Sequence, residues 1–506
     1  MRLYTDKKTC NGCRACEQVC PMECIEMQVD KEGFWYPKVD EKKCIQCGFC
    51  SKVCEKIDEK QSALKISYAV RNKNKEIVEK SSSGGVFFEF AQKVIEKSGV
   101  VFGVVFDKDF AVYNTFATTV EEVEYMLGSK YVQSDTNATY KEVKKFLDAG
   151  SWVLYSGTPC QISALKAFLG KDFEKLLTVS VICHGVPSPL VWKQYIAFIK
   201  GCYSEDVIQD VRFRNKRESW RLFDFEVDCL DKKLSERHTD NIYMQGFLEN
   251  LYLRPSCYEC RAKGEQSKAD IILGDYWGVE KYHSEIDNGR GTSAVILNTS
   301  KGVELWSEVS SKFEFVESKY EYVLESNICL DNSVEHDEDR RERFFKELQE
   351  AGNVVDSIKN NLKPRLSTEE RKLYQYPMVV QYLENKINKK SIENYLKKRG
   401  YSKVALYAIN DFTKWIYEDV YENTKNLDIE IVCVCDKNCK NYGDKFYEIP
   451  IVGIEKLVSD YRSGVCDGII VCNWVSKEAI YNELITNGIK EEHITSIVET
   501  IYGMCE

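Results

Sequence analysis

The run Cys10-Asn11-Gly12-Cys13-Arg14-Ala15-Cys16-Glu17-Gln18-Val19-Cys20-Pro21 spaces its cysteines by three, three and four, and the spacing returns at Cys44, Cys47, Cys50 and Cys54. Thiolates three apart, with a fourth trailing, wrap a loop around a 4Fe-4S cubane, one sulfur to each iron. In paired runs the fourth cysteine crosses to the other cluster. The spacing therefore predicts one cluster on Cys10, Cys13, Cys16 and Cys54, and a second on Cys44, Cys47, Cys50 and Cys20. Zinc knuckles rarely repeat an evenly spaced triple with a trailing Cys-Pro. Cys54 departs from the pattern only in being followed by Glu55 rather than proline.

The remaining composition narrows the class. At 506 residues the chain is long enough for about three domains, and 43% hydrophobic with 30% charged residues suits a soluble globular protein. No apolar run reaches the ~20 residues needed to span a bilayer, and MRLYTDKKTC lacks a signal-peptide core. A cytoplasmic location is expected, where 22 cysteines serve as metal ligands and buried thiols rather than as disulfides. The net charge of −10 argues against a nucleic-acid partner.

Along the chain, a Lys- and Glu-rich stretch over 55–80 reads as a connector, and Ser81-Ser82-Ser83-Gly84-Gly85 opens a helix with apolar residues at helical spacing from Val86 to Ile95. A Ser cap followed by glycines exposes backbone N–H groups that suit a phosphate; a plain cap with a tight turn is the alternative. Strands at 152–155 and 177–182 end in Ser156-Gly157-Thr158-Pro159-Cys160-Gln161 and in Cys183-His184-Gly185-Val186-Pro187-Ser188, with a helix between them. That order predicts a parallel pair with a right-handed crossover, so that Cys160 and Cys183 meet at the carboxyl edge where open α/β sheets hold ligands. Cys257 and Cys260 form a C-x-x-C that alone could be zinc, redox or chance; joined to Cys160 and Cys183 it makes a fourfold thiolate set for a third 4Fe-4S cluster or a structural zinc. From Lys403, alternating strands and helices outline a small Rossmann-like sheet. The turn Ala408-Ile409-Asn410-Asp411-Phe412-Thr413 lacks the glycines a dinucleotide needs. Cys433, Cys435 and Cys439 read as buried thiols.

The segments SSSGGVF, GSKYVQS, SGTPCQ, ICHGVPS, RPSCYEC and LGDYWG, in that order, resemble the motifs of the coenzyme F-420 hydrogenase/dehydrogenase beta-subunit family. The resemblance implies FAD beside iron–sulfur clusters. It implies Ser83, Gly84 and Gly85 at the FAD phosphates and Ser129, Lys130, Tyr131, Gln133 and Ser134 as a flavin wall. Lys130 would either neutralise a phosphate or stabilise anionic reduced flavin. It also implies Cys160, Cys183, Cys257 and Cys260 as ligands of a third 4Fe-4S cluster, with Gly157, Thr158 and Gln161 hydrogen-bonding cluster or flavin. His184 is either a proton relay, making it catalytic with Lys130, or a residue that orients its loop.

The chain is thus expected to be α/β, α+β overall. A bacterial-ferredoxin-like domain would span 1–60, a mixed α/β FAD-binding region 80–150 and 151–330, a charged helical connector 331–398, and a Rossmann-like domain 399–506. The expected activity is an FAD-dependent iron–sulfur oxidoreductase. It would exchange electrons with ferredoxin or another low-potential carrier, and hydride with a small-molecule substrate such as F-420. The alternative is an electron-transfer subunit feeding a partner oxidoreductase.

Overall fold

The computed structural model describes residues 6–56, 63–202, 208–217, 219–230, 232–264, 267–363, 381–383, 385–388, 390–422, 429–437, 439, 442–473 and 477–504. The chain divides into two compact units, Met1–Lys363 and Pro364–Glu506.

In the first unit, the antiparallel pair β1 (Ile25–Val29) and β2 (Trp35–Val39) lies between the two cysteine runs. Short helices Ala15–Val19 and Phe49–Lys56 carry Cys16, Cys50 and Cys54. Next come β3 (Ile66–Asn72), β4 (Val100–Phe106), β5 (Val112–Ala117), β6 (Val153–Gly157) and β7 (Leu176–Val181). A three-stranded antiparallel ribbon follows, formed by β8 (Ile208–Asn215), β9 (Asp224–Cys229) and β10 (Lys233–Arg237). The unit's last strands are β11 (Ile271–Asp275), β12 (Ser293–Leu297) and β13 (Phe313–Ser318).

Eight of these strands form one mixed sheet in the order β13-β3-β12-β11-β7-β6-β4-β5. Its centre, β11-β7-β6-β4, is parallel and its flanks are antiparallel. The runs VVFGVVF in β4 and LLTVSV in β7 are buried on both faces, with the polar Thr178 of β7 satisfied by Asp270. Cys160 follows β6 and Cys183 follows β7, so both lie at the carboxyl edge of the parallel pair.

Two sequence expectations change. The stretch read as a connector holds β3, paired on both sides in the sheet. Its buried Ala69 and Val70 were masked by the polar neighbours Lys65, Arg71, Asn72 and Lys73. The charged segment after residue 331 likewise begins as part of the first unit. Helix Glu338–Ala351 buries Phe344, Phe345 and Leu348, and its Arg340 and Arg341 pair with Glu249 and Glu32.

The second unit holds β14 (Lys403–Tyr407), β15 (Glu430–Cys435), β16 (Lys445–Phe446), β17 (Ile449–Val452), β18 (Gly468–Val471) and β19 (Ile494–Ser496). The order is β16-β17-β15-β14-β18-β19, parallel except at β16. Sequence reading missed β16, β17 and the helix Ile454–Arg462, and the last strand gives way to helix at Ile497. In the turn after β14, Ala408 takes φ 82°, and the Asn410 side chain accepts from the N–H groups of Phe412 and Thr413. Cys433 and Cys435 are buried, and Cys439 is half-buried. Among the described residues, no helix is long and apolar enough to cross a membrane.

Candidate iron–sulfur and cofactor sites

One cavity is walled by Cys10, Cys13, Cys16 and Cys54 on one side and by Cys160, Cys183, Cys257 and Cys260 on the other. A second cavity is walled by Cys20, Cys44, Cys47 and Cys50. The fourth cysteine of each N-terminal run therefore faces the other run's cavity. Cys24 also lines the second cavity, with its Sγ 3.4 Å from that of Cys20. Sequence reading passed over Cys24, although its place four residues after Cys20 in Cys20-Pro21-Met22-Glu23-Cys24 was a visible signal.

Four-thiol walls fit iron–sulfur chemistry, in which each iron takes one thiolate. Burial is what opposes ionisation of these thiols: it pushes Cys160 up to about 11 and Cys257 up to about 12. Metal binding has to displace those protons. The surrounding donors act the other way. The Thr158 hydroxyl lies 3.2 Å from the Cys160 sulfur, and the backbone N–H of Val186 donates to the Cys257 sulfur at 3.4 Å.

Docking of the ferredoxin-type segment runs through side chains packed beside the cavity. Arg14 pairs with Asp135, the Thr136 hydroxyl donates to the Cys13 carbonyl, and Gln18 accepts from the N–H of Tyr140. Gly12 has φ +68°, and a Cβ there would sit 2.7 Å from Arg254 Nη1. Gly12→Ala should therefore lower stability by about 1–3 kcal/mol and reduce iron per chain, measured by anaerobic melting and iron assay.

The residues expected to hold flavin separate into two groups. In the first, Ser82 bonds the Ser129 hydroxyl and backbone N–H, which joins the SSSGG and GSKY loops. The helix cap differs from expectation: Gly85, with φ 77°, is the N-cap of helix Val86–Glu96, and the Gly84 N–H donates to Ser293 Oγ. Ser83 donates to the Thr292 carbonyl. Lys130 donates to the Leu127 and Gly128 carbonyls, and burial lowers its pKa to about 8. In the second group, Gln133 bonds the Asn11 carbonyl and Arg254, at the ferredoxin-type segment. Gln161 bonds Ser134 and the Thr158 N–H, and packs on Gly157, so these four shape the Cys160 turn.

The first group has neighbours the sequence did not advertise. Lys216, 2% exposed, donates to the carbonyls of Val78 and Ser83. Arg214 pairs with Asp275 at the end of β11. Among the described residues, Arg214 Nε, Asp275 Oδ1 and Thr292 Oγ1 are buried without a hydrogen-bond partner. Such orphans are costly unless a ligand completes them. The Lys and Arg here come from the ribbon, far from SSSGG in sequence, and only tertiary contact brings them together.

His184 connects the regions. Its Nε2 lies 2.6 Å from Asn250 Oδ1 and its Nδ1 3.6 Å from the Cys329 sulfur, and burial lowers its pKa. Its ring packs edge-on against Phe247 at 5.0 Å, and Phe247 stacks on Tyr131 at 4.8 Å. The imidazole thus stands between Cys183 and the GSKY loop.

Comparison with known proteins places these features. Residues 150–321 match the family model for the C terminus of the coenzyme F-420 hydrogenase/dehydrogenase beta subunit, and residues 9–56 match a 4Fe-4S dicluster domain. The chain has a region similar to that beta-subunit family behind a segment similar to 4Fe-4S dicluster domains. An uncharacterized protein of Methanocaldococcus jannaschii is 35% identical over 75 residues, 15% of this chain and 25% of that protein. The chain thus spans about a quarter of the length of that curated relative. A chain of the F-420-reducing [NiFe] hydrogenase complex from Methanosarcina barkeri aligns over 62% of this chain and 94% of its own, with 20% identity and a TM-score of 0.36. These matches relate the chain to an oxidoreductase family and to 4Fe-4S dicluster domains.

Proposed function

We propose that the protein is a cytoplasmic iron–sulfur flavoprotein oxidoreductase. Cys10, Cys13, Cys16 and Cys54 would hold one 4Fe-4S cluster, Cys44, Cys47, Cys50 and Cys20 a second, and Cys160, Cys183, Cys257 and Cys260 a third. FAD would lie at the SSSGG–GSKY junction. The observation that carries this reading is the single cavity shared by the Cys10 and Cys160 sets. It puts the dicluster domain directly against the sheet edge that bears Cys160, Cys183 and Asp275. When bound, clusters pass single electrons, and a flavin gathers two for hydride exchange with a soluble substrate.

The chain's own residues then have distinct tasks. Lys216 and Arg214 supply buried positive charge for the FAD phosphates, beside the Ser83–Gly85 turn. Thr292 and Asp275 offer unpaired oxygens to the same ligand. Lys130 places a cation by the flavin wall. The contact series His184–Phe247–Tyr131 excludes water between the Cys183 loop and that wall.

Anaerobically purified protein should contain roughly twelve irons and one FAD per chain. About eight irons with stoichiometric zinc would remove the third cluster, and protein without flavin after reconstitution would remove the enzyme reading. Reoxidation of the dithionite-reduced protein by F-420, NAD(P) or ferredoxin then identifies the carrier.

A further inference from the structure

Arg254 is the largest charged side chain sealed inside the first unit, at 0% exposure. Its side chain lines the cavity that both thiol sets share. Nε donates to the Cys10 carbonyl at 2.8 Å, Nη1 to Gln133 Oε1 at 3.1 Å, and Nη2 to the Trp35 carbonyl at 2.9 Å. Nη2 also points at the Cys10 sulfur, 3.8 Å away. The flat face packs on Tyr36 at 4.4 Å and on Phe34 at 5.4 Å. On the other side, its charge favours the thiolates of Cys160 and Cys257, against the burial that opposes them.

All of these direct partners are neutral. Among the described residues no carboxylate lies within ion-pair distance of Arg254. A buried charge without a counter-charge is expensive, costing several kcal/mol even after relaxation. Other buried arginines of this unit are paired: Arg214 with Asp275, Arg340 with Glu249, Arg341 with Glu32. The anion that Arg254 lacks has its place in the cavity it lines, between Cys10 and Cys257.

Resting on the cluster assignment proposed above, we infer that Arg254 is the built-in counter-ion of the cluster held by Cys10, Cys13, Cys16 and Cys54, and that it raises the reduction potential of that cluster. A 4Fe-4S core with four thiolates is a net anion and gains one more negative charge on reduction. A fixed cation beside it, with an N–H directed at a ligand sulfur, stabilises the reduced form more than the oxidised form. Arg254 acts through the ligand set, as a positioning and tuning residue. It lines the cavity that also holds Cys160 and Cys257. Gly12 leaves the space it occupies, since any side chain there would strike the guanidinium. The cluster of the Cys20 set lies in the other cavity, which Arg254 does not line, and so serves as an internal control.

The test is an EPR-monitored redox titration of the full, anaerobically reconstituted chain as wild type, Arg254→Gln and Arg254→Lys, with iron per chain determined for each. In Arg254→Gln the Cys10-set midpoint should fall. At fixed potential its reduced fraction relative to oxidised should drop about tenfold, which is 59 mV for a one-electron couple. The Cys20-set midpoint should stay in place, and Arg254→Lys, which keeps the charge without the fork, should lie nearer wild type. An unmoved Cys10-set midpoint at full iron content overturns the inference, as does an equal shift of every cluster. If Arg254→Gln loses its iron, Arg254→Lys decides. A loaded lysine variant with a near-wild-type midpoint supports the counter-ion role, and loss of iron there too assigns Arg254 to folding alone. A wild type that takes up no iron fails at the cluster assignment itself, a result distinct from an insensitive potential.

Discussion

Cys160→Ser should lower iron from about twelve to about eight per chain, leave the EPR signals of the two N-terminal clusters in place, and cut substrate turnover about a hundredfold or more. The separation of effects follows from the fold. Cys160 stands in the first turn of helix Pro159–Leu169, at the carboxyl end of β6, and its turn is held by Gln161 through Thr158 and Ser134. Those bonds do not involve the sulfur, and the contact it does make, with the Thr158 hydroxyl, is one a serine hydroxyl can also make, so serine keeps the turn and loses the soft ligand. The N-terminal sets draw their eight thiols entirely from residues 10–54, and the docking bonds of Arg14, Gln18 and Thr136 are untouched. Turnover that survives with eight irons would mean that electrons bypass the Cys160 set. Loss of all EPR signals would mean that the two thiol sets of the shared cavity fold as one.

What the sequence revealed follows from what short-range spacing encodes. The crossing of Cys20 and Cys54 between cavities was readable because each run is a local loop with fixed reach. The β6–helix–β7 unit was readable because a crossover constrains hand and edge. β3 was not, since its two buried residues in a row, Ala69 and Val70, sit among charged flanks and pair only with β12 and β13, more than 200 residues away. Arg254 stood inside a recognised motif, yet its partners Cys10, Trp35 and Gln133 lie 121–244 positions distant, so its role depends on docking that no local pattern records. The proposed flavin wall is a similar case. GSKYVQS reads as one loop, but Tyr131 faces the aromatic cluster while Gln133, two residues on, faces the dicluster segment. Lys216 lies one residue past β8, where no sequence motif marks it.

Lys216 also makes the strongest prediction about pH. Burial lowers its pKa to about 8, with Arg214 and Arg290 adding to the shift and Glu79 and Asp275 opposing it. In the apoprotein below pH 8 the lysine is charged in both folded and unfolded chains, and the folded state bears the cost of a buried ammonium. Between about 8 and 10.5 the unfolded chain keeps the proton that the native one sheds, so the unfolded state binds more protons and stability rises with pH, by about 3 kcal/mol at most. A bound diphosphate reverses the preference. It holds the proton on, so FAD should bind tightly below pH 8 and weaken about tenfold per unit above it; Lys130, also near 8, adds a dependence of the same sign. The geometry leaves room for this contact, because an ammonium has three N–H donors and Lys216 gives one each to the Val78 and Ser83 carbonyls. Lys216→Met should remove about half of the stability rise above pH 8, since Lys130, also lowered to about 8, keeps its own share. It should also weaken FAD binding at pH 7 by about ten- to a hundredfold, the worth of one charge-assisted hydrogen bond. Flavin fluorescence titrations from pH 6.5 to 9.5, run beside denaturant melts of the apoprotein, measure both. A variant that binds FAD with wild-type affinity and slope would place the diphosphate elsewhere. A variant whose apoprotein stability rises above pH 8 as steeply as the wild type's would mean that Lys216 does not titrate near 8.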